Sequence, residues 1–82
     1  MTNKQLFKRL QYQQNRLFNL LNYSFYLSIN NSIDLGIYFN VWLHDGNKNQ
    51  EIIFTNSFDI KDILLDNKLN RLKNVIDELL NK

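Results

Sequence analysis

The stretch Gly36–Thr55 reads GIYFNVWLHDGNKNQEIIFT, and its pattern decides the fold. Ile37, Phe39, Val41 and Leu43 alternate with Tyr38, Asn40, Trp42 and His44. Period-two alternation marks a strand with one buried face. Ile52 and Phe54 then alternate with Ile53 and Thr55. Asp45-Gly46 is a hairpin signal, because glycine tolerates the positive φ of a primed turn. A two-residue turn there pairs Phe39 with Ile52 and Ile37 with Phe54; a four-residue loop pairs Val41 with Ile52 and Phe39 with Phe54. Either register keeps one apolar set together, whereas a one-residue slip mixes the faces. A lone hairpin is marginal in water, so the rest of the chain must cover that set.

Working outward, Tyr23, Phe25, Leu27 and Ile29 alternate with Ser24, Tyr26, Ser28 and Asn30, a further strand over 23–30. Asn30-Asn31-Ser32 opens a turn. Upstream, Asn3 to about Asn22 has helical spacing: Leu6, Leu10, Leu17, Leu20 and Leu21 form one stripe, flanked by Phe7 and Phe18. Gln13 and Gln14 interrupt the stripe, and Thr2 or Asn3 can cap its start. Downstream, Asn56, Ser57 and Asp59 are successive caps for a C-terminal helical region. Its apolar face changes phase from Ile60, Ile63 and Leu64 to Leu65, Leu69, Leu72, Ile76, Leu79 and Leu80. The expectation is a short helix over 59–65 and a longer one over 67–80, split near Asp66-Asn67, with a single bent helix as the alternative. The predicted fold is α+β: a two-layer α-β-β-β-α domain over 1–82, with a three-stranded antiparallel meander and both helices on one face.

The chain of 82 residues has room for one domain and a thin core. It holds no cysteine, hence no disulfide and no thiolate metal site. No apolar run reaches the roughly 18 residues of a membrane span. The first residues, Met-Thr-Asn-Lys-Gln, lack a signal-peptide core, and a cytoplasmic location is expected. The absence of Ala and Pro beside abundant Asn, Ile, Lys, Phe and Tyr reflects AT-rich codons, as in a low-GC bacterium, a phage or a mobile element.

Net charge is +2, unevenly spread. Residues 1–33 hold Lys4, Lys8, Arg9 and Arg16 and no acid; residues 34–82 hold six basic and eight acidic side chains, a net of −2. Lys8, Tyr12 and Arg16 recur every four residues, with Arg9 beside them and Lys4 one turn earlier. A basic helix face of this kind attracts phosphate backbones or an acidic protein surface.

No catalytic or metal motif is present. His44 is the single histidine, without a cysteine nucleophile or serine elbow to serve. Asp45-Gly46 reads as turn chemistry. Asp59, Asp62 and Asp66 lack the glycine and terminal glutamate of a calcium loop and suit a helix start. The expectation is a non-enzymatic protein with no cofactor and no metal. If the inner sets are buried, Tyr26, Tyr38, Trp42 and Ile53 are expected on the side of the sheet turned away from the helices, and Tyr and Trp are common interface anchors.

The α-β-β-β-α order resembles that of double-stranded-RNA-binding domains. The resemblance covers topology alone. Their Gly-Pro-x-His loop is here His44-Asp45-Gly46-Asn47-Lys48-Asn49, and in place of their Lys-Lys-x-Ala-Lys run the last helical region starts acidic, at Asp59 and Asp62. The same order resembles some small phage-encoded inhibitors of CRISPR nucleases, many of them strongly acidic, unlike this chain. No family is assigned from either resemblance. The expected function is that of a small binding protein, phage- or mobile-element-encoded, which docks on a larger host protein as inhibitor or regulator. A nucleic-acid-handling machine such as a CRISPR effector fits that partner. The alternatives are direct nucleic-acid binding through Lys4, Lys8, Arg9, Tyr12 and Arg16, and a homodimer built on the outer sheet face.

Overall fold

The structure, a computed structural model, describes residues 1–49 and 51–82. The elements run α1 (Asn3–Arg16), β1 (Tyr23–Ser32), β2 (Gly36–Asp45), a 3-10 turn (Gly46–Lys48), β3 (Glu51–Phe58) and α2 (Leu65–Leu80). The sheet is an antiparallel meander in the order β1-β2-β3. This is an α+β fold, as the alternation and helical spacing predict. α1 lies over β1 and β2, α2 lies over β3, and the helices also meet each other.

α1 begins with a complete capping box. The Thr2 hydroxyl accepts from the Gln5 N–H, and the Gln5 side chain accepts from the Thr2 N–H. The helix ends at Arg16, earlier than the expected Asn22. Leu17 and Leu20 turn the chain inward instead, through bonds from the Leu20 N–H to the Leu17 carbonyl and from the Tyr23 N–H to the Leu20 carbonyl. Leu17 is buried, whereas Phe18 and Leu21 face solvent. The two glutamines that interrupt the stripe have work there. Gln14 donates to the Phe25 carbonyl of β1 at 3.2 Å, and Gln13 accepts from Arg16 at 3.0 Å.

The core joins Leu6, Leu10 and Leu17 to Phe39, Val41, Leu43, Phe54 and Phe58 of the sheet and to Leu65, Leu72, Ile76 and Leu79 of α2. Burying each large side chain contributes about 1.5–3 kcal/mol. Phe39 is 2% exposed, so the inner set is the expected one at its centre. The helices stop short of the β1–β2 turn, where Ile29 remains 60% exposed and Ile37 38%. That turn is closed by Gly36 at φ 71°, with the Ser32 hydroxyl accepting from the N–H groups of Asp34 and Leu35.

Neither expected register of β2 and β3 is adopted. Leu43 pairs with Phe54 and Phe39 with Phe58, while His44 pairs with Ile52. Ile53 is the extra residue of a bulge, and the bulge swaps the faces of its two isoleucines. Ile53 packs against the core, and Ile52 takes the outer position at 54% exposed. Ile53 is therefore no part of the outer surface. The turn differs for a related reason. Asp45 accepts from the Asn47 N–H and starts a 3-10 turn, and Asn49 at φ 54° supplies the left-handed residue. Gly46 does not.

Asn56 and Ser57 belong to β3 and not to a helix cap, because β3 runs on to the fully buried Phe58. The short helix over 59–65 is absent. The Asp59 carboxylate accepts from the Lys61 N–H and the Asp62 carboxylate from the Leu64 N–H, two local turns that compete with helix. α2 then runs unbroken through Asp66-Asn67. Ile60 packs on the core, but Ile63 and Leu64 are exposed. Two lysines tie this segment to the β1–β2 turn and to β3. Lys61 donates to the Leu35 carbonyl and Lys68 to the Ser57 carbonyl.

Candidate functional site

Helices cover one face of the meander and leave the other open. Strand parity and register place Ser24, Tyr26, Ser28 and Asn30 of β1 on that open face. With them stand Tyr38, Asn40, Trp42 and His44 of β2, and Ile52, Thr55 and Ser57 of β3. Three rows run across it. Tyr26, Trp42 and Thr55 stand in line. On one side lie Ser24, His44 and Ile52; on the other lie Ser28, Asn40 and Ser57. Tyr26 is 56% exposed, while Trp42 and Tyr38 are half-buried by their neighbours.

Contacts within the face fix its shape. The Tyr26 ring meets His44 edge-on, with centroids 5.6 Å apart and planes at 84°. Ser57 donates to the Asn40 side-chain oxygen at 2.6 Å, and Asn30 donates to Ser28 at 3.2 Å. The polar groups thus partly satisfy one another, which lowers the cost of covering them. Among these outer positions there is no Lys, Arg, Asp or Glu, in a chain that is 22% charged. Tyr26, Tyr38 and Trp42 share this face as expected from alternation, and Ile52 stands where Ile53 was expected. The bulge that exchanges them has no signal in the apolar pattern, since both residues are isoleucine.

The basic residues lie on the helical layer, away from this face. Lys8, Arg9 and Tyr12 of α1 line a cleft of about 370 Å³ together with Gln13 and with Leu69, Asn70 and Lys73 of α2. Lys4 is exposed but does not line the cleft. Arg16 is drawn off: it binds Asp77 of α2, which Lys73 also reaches at 3.0 Å. These bonds, Arg16 first and Lys73 second, hold the Asp77 carboxyl below the ordinary aspartate range. Asp62 is lowered in the same way, first by Lys68 and then by the Leu64 N–H. Lys4, Lys8 and Arg9 form no ion pair among the described residues. The contribution of α2 to the cleft was not legible in α1 alone; Leu69 and Lys73, four residues apart on one helix side, were the available signal.

His44 and Asp45 point to opposite faces: His44 is on the open side and Asp45 is buried on the inner one. Among the described residues no three His, Asp or Glu side chains gather as metal ligands. No described helix is long and apolar enough to cross a membrane. No protein-family model matches the chain, and no curated protein or solved structure shows a significant match to it.

Proposed function

We propose that this is a small non-enzymatic binding protein that docks through the open face of its sheet onto a larger protein and thereby inhibits or regulates it. One observation carries the reading: the outer positions combine Tyr26, Tyr38, Trp42 and Ile52 with Ser, Thr and Asn and bear no Lys, Arg, Asp or Glu. Charge depletion with aromatic enrichment is the mark of an interface core, not of an ordinary solvated surface. Strands of this length span roughly 30 Å, so the face is long enough to anchor a partner across several side-chain pairs. The partner surface that fits it is flat, largely uncharged and able to exchange hydrogen bonds with Ser28, Asn40, Thr55 and Ser57. A nucleic-acid strand fits it poorly, because stacking platforms work beside cations that track the phosphates.

The test is quantitative capture with three tagged proteins: wild type, Tyr26→Glu, and Lys8→Glu with Arg9→Glu. The proposal expects one protein larger than this chain to be retained by wild type and by the helix variant, and to be lost with Tyr26→Glu. Equal retention by all three overturns it, as does a sedimentation profile in which the open face is occupied by a second copy.

A further inference from the structure

We propose that the cleft between α1 and α2 is a second docking site, on the helical layer, for an acidic amphipathic peptide segment of another protein. The cleft is lined by apolar surface from Leu69 and the Tyr12 ring and by the cations Lys8 and Arg9, with Lys73, which also reaches Asp77, on the α2 side. Lys8 and Arg9 have no ion-pair partner among the described residues, and α1 carries no acid to neutralise them. Gln13 and Asn70 add hydrogen-bonding groups at the edge. The complement of this lining is a carboxylate for Lys8 and Arg9 beside an aliphatic or aromatic side chain for Leu69 and the Tyr12 ring. A space of about 370 Å³ holds one or two such side chains.

The alternative occupant of a basic helix is a phosphate backbone, and the geometry disfavours it. The row Lys8, Tyr12, Arg16 is broken electrostatically, because Arg16 is committed to Asp77 and Lys73 shares that carboxylate. A polyanion gains affinity from each phosphate it neutralises along its track, and among the described residues the α1 cations outside an ion pair, Lys4, Lys8 and Arg9, all lie in its first half. The apolar surface of Leu69 suits a leucine or phenylalanine better than a sugar-phosphate chain. The site and the open sheet face lie on opposite layers, so both can be filled at once and the protein can bridge two partners.

The test uses the full chain and three probes: a 15-residue peptide with Leu at positions i and i+4 and Glu elsewhere, its Gln counterpart, and a 15-nucleotide poly-dT strand. Amide chemical-shift mapping with the Glu peptide is expected to move Lys8, Arg9, Tyr12, Leu69, Asn70 and Lys73 saturably. Lys8→Glu with Arg9→Glu is expected to weaken binding at least ten-fold, and Leu69→Glu likewise, while Tyr26→Glu leaves it unchanged. Circular dichroism checks that each variant folds. Equal affinity for the Glu and Gln peptides overturns the proposal. So do shifts centred elsewhere, or tighter binding of the oligonucleotide than of the Glu peptide. Because Tyr26→Glu abolishes capture through the sheet face and is silent here, failure of one site is distinguishable from failure of the other.

Discussion

Arg16 of α1 and Asp77 of α2 are joined by an ion pair that ties the two helices together over the sheet. Asp77 also accepts from Lys73 one turn before it on α2, so a single carboxylate serves both helices. The bond removes Arg16 from the basic surface and gives it a structural task. Its pH dependence follows from the lowered carboxyl pKa. A depressed folded-state pKa means that the stabilisation is fully present above the unfolded aspartate value, about 3.9, and is lost as pH falls through the folded value. Thermal melts should therefore show Asp77→Asn below wild type at pH 7. The gap should close as pH drops below about 4. A gap that is the same at pH 7 and pH 2.5 would show that the carboxylate charge has no part in it.

The bulge at Ile53 makes adjacent isoleucines unequal. Ile53→Asp places a charge against the core and should destabilise the protein by about 2–4 kcal/mol in urea unfolding. Ile52→Asp, on the open face, should change stability by less than about 1 kcal/mol. The reverse order of effects would mean that β2 and β3 pair without the bulge.

Turn chemistry offers a similar contrast. Gly36 holds φ 71°, a conformation that costs a residue with a Cβ roughly 1–2 kcal/mol. Its would-be Cβ lies 3.6 Å from the Lys61 Nζ, so space is not the obstacle. Gly36→Ala should lose about 1 kcal/mol, while Gly46→Ala, at a glycine outside the left-handed region, should lie within about 0.5 kcal/mol of wild type. Equal losses at both sites would point to a primed Asp45-Gly46 turn after all.

These contrasts show where local pattern is informative. Alternation over 39–44 and the leucines of α1, Leu6 and Leu10, reported burial directly, because each rests on one period seen by one face, whereas Ile37 shares the inner parity but lies beyond the helices' cover. Phe39 is inside and Tyr26 and Trp42 are outside for that reason. Ile53 was misplaced because a bulge is a relation between two strands. Asp59 and Asp62 looked like helix caps because an aspartate that closes a local turn and one that caps a helix use the same acceptor. Of the candidate surfaces, the open face was legible except at its bulged end. The cleft was half legible, since Leu69 and Lys73 reach it only through the packing of α2 on α1.

Phe58 was unassigned by pattern and is wholly buried, opposite Phe39 and 6.4 Å from the Phe54 ring. Phe58→Ala should cost about 3–5 kcal/mol, enough to unfold a large fraction of so small a domain. Phe18→Ala, at a ring 78% exposed, should cost less than about 0.5 kcal/mol. Comparable losses in chemical denaturation would contradict the placement of the core.

The open sheet face as a protein-docking surface is tested most directly by site-specific photo-crosslinking in cells that hold the partner. A photoreactive phenylalanine analogue is placed at Tyr26, Tyr38 or Thr55 on the sheet, or at Asn74, an exposed position of α2 that does not line the cleft. Discrete adducts to one larger protein from the three sheet positions and none from Asn74 are the expected result. Adducts from Asn74 with none from the sheet, or sheet adducts only at the mass of two copies of this chain, would contradict it.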